Sequence, residues 1–503
     1  MELVTLTILV IVCYGIYAWL QKRYSYFWDM GLPYVPPVPI FGNMAPSFFR
    51  RKHENEMMKD LYNYNPEPKY IGVFDFLTPV WLIRDPDLIK ELTIKNFDNF
   101  MDRNEFFVDI HDPLFNNNLF TMRGEKWRET RNLLSPAFTS SKMKTMYELI
   151  VACAQNLTDY MSREAEDPKN IIDARDVFSR FTADVIASCA YGINVDSLKE
   201  PNNEFYIMAK KGSNFDGLTL LKIFLARASP ALFNFFRMRF SDDKVAKFFK
   251  DLIKRTIELR EKEGITRPDM IQLMMDARGK TSGNLDLDLT SMTAQAFVFL
   301  LGGFETSASQ MCIMAQELTT NPQVQKRLQN EIDSVLAETN GKPTYESITS
   351  MQYLDAVFSE SLRRHPQIEA VERCCTKSYQ LPPPLPGRKA VTLKPGTLIW
   401  ASTLGIQMDE KYHKNPEKFD PDRYLGKKLT LNQVDNMGFG IGPRGCIGNR
   451  FATLEIKILF FHLLAKFTLM PNHKTSKEFK YKPGTFRIMP KEGFWFSLEP
   501  RRK

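Results

Sequence analysis

The sequence predicts a mainly α protein with a minor β-sheet region, and three observations carry that reading. Runs with helical periodicity recur at residues 125–134, 143–161, 174–191, 242–263, 289–318, 324–337, 354–364 and 449–467. Alternating, β-branched or aromatic segments are confined to residues 70–76, 79–84 and the C-terminal quarter, where they mix with proline-rich turns. One glycine-rich stretch, Phe439-Gly440-Ile441-Gly442-Pro443-Arg444-Gly445-Cys446-Ile447-Gly448, opens directly onto the last long helical run.

The N-terminal run comes first. Residues 3–20 (LVTLTILVIVCYGIYAWL) are 18 residues without a charge, enough to cross a hydrocarbon core of about 30 Å as a helix. Lys22 and Arg23 follow and only Glu2 precedes, which keeps the following chain on the cytoplasmic side. A basic leader and a small-x-small cleavage site are missing, so a cleaved signal is disfavoured. Residues 1–21 therefore read as a transmembrane anchor, with the body in the cytosol at the endoplasmic reticulum membrane. Residues 22–43 read as a basic, proline-rich hinge, in which GLPYVPPVPIFG (31–42) acts as a stiff spacer.

Residues 44–503 read as one large catalytic domain, because no low-complexity linker or repeat interrupts them. Net charge is +8 with lysine and arginine scattered. Scatter argues against nucleic acid and suits an acidic protein partner or an anionic membrane surface. The seven cysteines, Cys13, Cys153, Cys189, Cys312, Cys374, Cys375 and Cys446, show no framework spacing and read as reduced thiols. The six histidines, His53, His111, His365, His413, His462 and His473, form no metal-spaced set.

Within the body, residues 101–120 read as a long loop whose Phe106, Phe107, Phe115 and Phe120 line an apolar cavity. Trp127-x-x-x-Arg131 puts an indole N–H and a guanidinium on one helix face, a weak signal alone. Residues 224–240 (FLARASPALFNFFRMRF) suit either a membrane interface or burial between helices.

Chemistry concentrates at Cys446. A thiol at a helix start is expected to have a lowered pKa, from the helix dipole and free N–H groups. Glycines without Cβ atoms let something flat lie against the loop, and Arg444 offers charge to an anionic group. Haem with an axial cysteine fits this; a structural cysteine in a glycine-rich loop is the plain alternative. The helix at 289–318 carries Gly302-Gly303-Phe304-Glu305-Thr306-Ser307. Two mid-helix glycines cost about 1 kcal/mol each relative to alanine, which is explained either by close helix packing or by room for a ligand. Val298, Phe299, Gly302 and Thr306 share one face, and Glu305 beside Thr306 offers a proton path. Glu360 and Arg363 stand at i,i+3, and the stiff Pro416–Arg423 stretch is able to deliver Arg423 to Glu360. A buried carboxylate between two guanidiniums is a structural lock.

Gly302-Gly303-x-Glu305-Thr306, Glu360-x-x-Arg363, Pro416-x-x-Phe419-x-Pro421-x-Arg423 and Phe439-Gly440-x-Gly442-x-Arg444-x-Cys446-x-Gly448, with Trp127-x-x-x-Arg131, occur in the order and spacing of a cytochrome P-450. The resemblance covers essentially the whole chain. It implies the cytochrome P-450 fold, with haem b between a long central helix and a cysteine loop-helix. Cys446 would be the axial iron ligand on a loop framed by Phe439, Gly440 and Gly448. Trp127, Arg131, Arg373 and Arg444 would hold the propionates. Thr306 and Glu305 would relay protons, and Glu360, Arg363 and Arg423 would form the structural triad. Phe107, Phe115, Phe120, Phe299, Gly302, Gly303, Val371 and Phe486 would line the substrate pocket. Gly302 departs from the alanine more usual in the family, which widens the groove. The implied activity inserts one atom of O2 into lipophilic substrates. Electrons would come from NADPH through NADPH–cytochrome P-450 reductase, with cytochrome b5 as a second donor. The wording FGIGPRGCIGNRFA resembles the insect clan that clears plant toxins and insecticides, so a microsomal xenobiotic monooxygenase is expected. The same chemistry on an endogenous hormone or fatty acid is the alternative, ahead of a haem-thiolate isomerase or dehydratase and a non-catalytic haem-binding protein.

Overall fold

The computed structural model describes residues 2–104, 110–267, 269–278, 287–427 and 429–501. The functional part is built around one long helix, Leu289–Thr320, which packs against the helices Ala174–Ile186, Asp243–Glu263 and Gln352–Arg364. In chain order, α1 spans Glu2–Tyr24, β1 Tyr70–Asp75 and β2 Thr78–Ile83. Helices α2 (Gly124–Leu134), α3 (Ser140–Glu164), α4 (Ala174–Ile186), α5 (Glu204–Gly212), α6 (Leu218–Ala228), α7 (Pro230–Phe235) and α8 (Asp243–Glu263) follow. Next come α9 (Leu289–Thr320), α10 (Pro322–Glu338), α11 (Gln352–Arg364), β3 (Ala370–Cys374), β4 (Leu398–Ser402), α12 (Asn449–Lys466), β5 (Phe467–Met470) and β6 (Trp495–Pro500).

The helices end where their chemistry says they should. Asp288 caps α9 by accepting from Ser291 N at 2.7 Å, and Asp242 caps α8 through Lys244 N at 2.9 Å. The run expected at 174–191 is α4 followed by a wider π-helical turn over Ala187–Tyr191, stopped by Gly192 at φ 69°. Among the described residues, two helices are long and apolar enough to cross a membrane, Leu3–Tyr24 and α9. They differ in surroundings: α9 is mostly enclosed by protein, whereas α1 projects its leucines, isoleucines and valines outward, Leu20 excepted.

The principal sheet runs β1-β2-β4-β3. β1 and β2 are antiparallel, with Val73 opposite Val80. β2 and β4 are parallel, with Val80 opposite Leu398, and β4 and β3 are antiparallel, with Ala401 opposite Val371. β1 is buried along its whole length, Asp75 included.

What covers β1 corrects the expected hinge. Phe27 is fully buried, and its ring lies where a Cβ on Gly72 would come within 2.4 Å. Val35 N donates to Gly72 O at 2.9 Å, Gly72 N to Pro33 O at 2.9 Å, and Asn43 N to Phe74 O at 2.8 Å. Residues from Tyr26 onward are thus docked on the edge of β1, not strung out as a spacer. Prolines lack N–H groups, so the few donors between them bond the strand edge.

The aromatic stretch 224–240 divides between its two readings. Phe224 packs against Phe48 and Phe76, with centroids 5.4 and 6.0 Å away, and Phe233 stacks on Phe240 at 4.8 Å. Arg227 is enclosed between Glu54 and Asp75, 3.1 Å from each. Leu232, Phe235 and Phe236 face outward instead, the phenylalanines at 78% and 65% exposure.

Candidate active site

The cysteine loop is shaped by two glycines with positive φ. Gly440 (φ 76°) reverses the chain so that Cys446 N donates to Phe439 O at 2.7 Å. Gly442 (φ 70°) lies so close to Thr93 that a Cβ would sit 2.4 Å from its carbonyl oxygen. Any side chain at either position would strain the turn. Gly448 caps α12, and a Cβ there would make ordinary 3.6 Å contact with Phe138. Phe138 also packs on Phe299 of α9 at 5.6 Å, so the loop and the central helix share a wall.

The Cys446 side chain is open on one face and surrounded by protein on the others. Its pKa corrects the expectation of a pre-formed thiolate. Burial pushes the thiol up, and the Gly448 amide with the Arg131 and Arg103 guanidiniums offsets this only in part. A thiol held neutral suits a metal ligand, which loses its proton on coordination, better than a free nucleophile.

Guanidiniums converge beside this loop. Arg444 is buried, lies 4.0 Å over the Trp127 ring, and donates from Nε to Met101 O at 2.8 Å and from Nη2 to Met122 O at 2.7 Å. Arg373 donates to Glu372 O at 2.7 Å and Ile441 O at 2.9 Å. Arg103, which no motif singled out, donates to Phe120 O at 3.3 Å and stacks 4.1 Å over the Phe120 ring. Burial first, then their mutual repulsion, depresses Arg444 to about 8 and Arg373 to about 9; Arg103, also mainly through burial, falls to about 10. A guanidinium keeps its proton in practice, so the cluster is a concentration of positive charge that Asp102, 3.5 Å from Arg444, offsets only in part. Two buried donors, Arg444 Nη1 and Arg373 Nε, have no acceptor among the described residues. Buried donors demand partners, and a flat ligand with two carboxylates at one edge answers both charge and hydrogen bonding.

The opposite wall belongs to α9. Gly302 and Thr306 are exposed on one face, with Val298 and Phe299 half-buried beside them. Thr306 Oγ1 donates back to Gly302 O. The two glycines divide the explanations between them. A Cβ on Gly302 would meet nothing within 4 Å, whereas one on Gly303 would lie 2.4 Å from Ile186 Cδ1 of α4. Gly303 therefore serves helix packing and corrects its placement in the pocket.

Glu305 lies on a different flank of α9 from Thr306. Successive helical residues are turned by about 100°, so it faces α4 and the C-terminal region, away from the Thr306 face. There it pairs with Arg175 and with Arg487 Nε at 3.4 Å, and accepts from Ser213 Oγ at 3.3 Å. It is a bound carboxylate, held by residues from three distant segments.

The remaining expected pocket residues separate. Phe120 and Phe486 are exposed. Phe115 is instead buried among Phe215, Phe240 and Phe297 at 6.2, 5.7 and 6.0 Å. Val371 is buried within the layer under the sheet. Both are buried side chains, unlike Phe120 and Phe486. Phe107 lies outside the described residues. Phe439 packs 6.0 Å from Phe358 of α11.

Behind the loop, Glu360 is fully buried and chelated by Arg363, with Nε to Oε2 at 2.8 Å and Nη2 to Oε1 at 2.9 Å. Arg423 Nε and the Asp420 amide both donate to Glu360 Oε1, at 3.2 and 3.0 Å. Leu362 of α11 lies where a Cβ on Gly438 would come within 2.4 Å, so this ion-pair centre abuts the start of the cysteine loop.

An open cysteine on a glycine-shaped loop, an arginine cluster with two buried donors left over and an uncluttered helix face fit haem, and a haem enzyme is the class that this fold and site define. The family model for Cytochrome P450 matches residues 32–495. The chain is 39% identical to cytochrome P450 9e2 of Blattella germanica, over 99% of this chain and 97% of that protein. It is 38% identical to the probable cytochrome P450 9f2 of Drosophila melanogaster (96% and 97% covered) and 33% identical to cytochrome P450 6j1 of Blattella germanica (96% and 95%). The chain belongs to the cytochrome P450 family of monooxygenases, which use haem b and electrons drawn from NADPH through a reductase.

Proposed function

We propose that this chain is a membrane-anchored monooxygenase that oxidises lipophilic foreign compounds such as plant toxins or insecticides. The observation that carries the oxidative reading is the pairing of Cys446, open on one face, with the buried guanidinium cluster at its side. Haem held there supplies electron transfer to O2 and its cleavage. The chain's own residues do the rest. Cys446 ligates the iron, while Arg103, Arg131, Arg373, Arg444 and Trp127 hold the two carboxylates. Gly302 keeps the α9 face clear, and the Thr306 hydroxyl holds a proton at that face. Exposed aromatic side chains, Phe120 and Phe486, support an apolar substrate. Residues 1–21 anchor the chain in the endoplasmic reticulum membrane, 22–43 connect, and 44–503 form the catalytic domain facing the cytosol. The exposed Leu232, Phe235 and Phe236 add a second membrane contact. NADPH–cytochrome P450 reductase, and cytochrome b5 as a second donor, are the partners, drawn to a basic chain.

The test is turnover of the full chain in membranes with reductase and NADPH on a panel of lipophilic toxins. Several toxins should yield oxygenated products. Turnover of one endogenous hormone or fatty acid alone overturns the xenobiotic reading, and product without NADPH overturns monooxygenation. In the same preparation an alkaline carbonate wash should leave the chain in the membrane pellet; release into the supernatant refutes the anchor.

A further inference from the structure

Four consecutive residues between α5 and α6 dock on the flank of α9 that carries Glu305. Ser213 Oγ donates to Glu305 Oε1 at 3.3 Å. Asn214 Oδ1 accepts from Arg487 Nη2 at 3.4 Å. The Phe215 ring packs 5.8 Å from Phe486 and 6.2 Å from Phe115. Asp216 accepts from Thr485 Oγ1 at 2.7 Å and Phe486 N at 3.1 Å. Arg487 Nε stands between the two carboxylates, 3.4 Å from Glu305 Oε2 and 3.8 Å from Asp216 Oδ2. Arg175, the other cation on Glu305, is tied down separately by donating to Ser309 Oγ at 2.7 Å.

We propose that Arg487 is a positioning residue that makes the setting of Glu305 depend on whether residues 213–216 are docked against the turn at 485–487. The proposal rests on the reading that the Glu305–Thr306 region of α9 handles protons. Arg487 is half-buried and its side chain is shared by both partners, so loss of Asp216 leaves it free to recentre on Glu305. Movement of Phe215 or Phe486, whose rings flank the apolar side, pulls on the same four residues. Substrate seated against Phe486 and the acid next to Thr306 are thereby joined through one guanidinium, and proton supply is matched to occupancy of the site.

The experiment compares Arg487→Gln, Asp216→Asn, Arg487→Lys and the double variant in the reconstituted enzyme. It reads product formed per NADPH consumed at saturating lipophilic probe, and the probe's dissociation constant from its spectral shift. Both single variants should lower product per NADPH by roughly three- to tenfold, the effect of one half-buried ion pair. The dissociation constant should hardly move, the double variant should be no worse than either single one, and Arg487→Lys should recover coupling. A second readout needs no turnover: hydrogen exchange over residues 204–217 should quicken in both single variants. Unchanged coupling, a weakened dissociation constant with coupling intact, or unchanged exchange overturns the proposal. Asp216→Asn, nearly isosteric, carries the test if Arg487→Gln does not fold. Thr306→Ala separates the two claims. If it diverts NADPH electrons to peroxide while Arg487→Gln does not, only this inference falls; if Thr306→Ala leaves coupling intact, the proton-handling reading falls first.

Discussion

Replacing Cys446 with alanine abolishes the strongly red-shifted Soret band that reduced protein shows with carbon monoxide. The substitution is a clean one. The loop's backbone bonds, Cys446 N to Phe439 O at 2.7 Å and Gly445 N to Gly442 O at 2.8 Å, do not pass through sulfur. Nor do those of the arginine cluster, so haem should still bind, more weakly, with an unshifted or absent band. No other thiol is placed to substitute. Burial pushes Cys153 and Cys312 up to about 12 and Cys189 well above its ordinary value. Cys374 and Cys375 are buried in β3 and the residue after it, where Cys375 Sγ contacts Lys377 O at 2.9 Å. Cys13 lies in α1. A red-shifted band surviving in Cys446→Ala would remove the central assignment, and loss of the band with full haem content would confirm that the thiol acts as ligand rather than as scaffold.

Sequence periodicity reveals which residues share a helix face, and it did so for Gly302 and Thr306. It does not reveal what meets the neighbouring face. Glu305 looked like a partner of Thr306 because the two are adjacent, yet adjacency on a helix is divergence in space, and its real partners, Arg175 and Arg487, come from distant segments. The glycine pair was legible as an anomaly, but only the position of Ile186 shows which glycine answers to packing. Arg103 carried no motif at all, and its place beside the cysteine loop is set by tertiary contacts such as that of its neighbour Asp102 with Arg444 at 3.5 Å. For Phe115 and Val371 apolar character indicated burial, which both have, but it does not tell the front of a wall from its back. The proline-rich stretch was readable as stiff, but docking on β1 is a tertiary matter decided by Phe27 and Gly72.

Glu360→Gln should cost about 3–5 kcal/mol, the range for breaking a buried ion pair from one side. Four donors converge on this carboxylate: Arg363 Nε and Nη2, Arg423 Nε and the Asp420 amide. A neutral amide offers one acceptor oxygen and presents its own N–H groups to guanidiniums. Arg363 has nowhere to go: it is enclosed, and its other bonds, to Gln407 O and Pro416 O at 2.7 Å each, hold it in place. Against a typical domain stability of about 5–15 kcal/mol, a loss of this size is severe. Arg423→Ala supplies the internal standard. Its side chain is 13% exposed, against 0% for Arg363, and it makes a single bond to Glu360, so removing it should cost about 1–3 kcal/mol. Thermal or urea unfolding of the two variants, with haem retention followed in parallel, checks the order. Haem should be lost at milder conditions in Glu360→Gln, because Leu362 of the same helix braces Gly438 at the threshold of the cysteine loop. Equal destabilisation by the two variants would show that the surrounding prolines and carbonyls, not the carboxylate, hold this corner together.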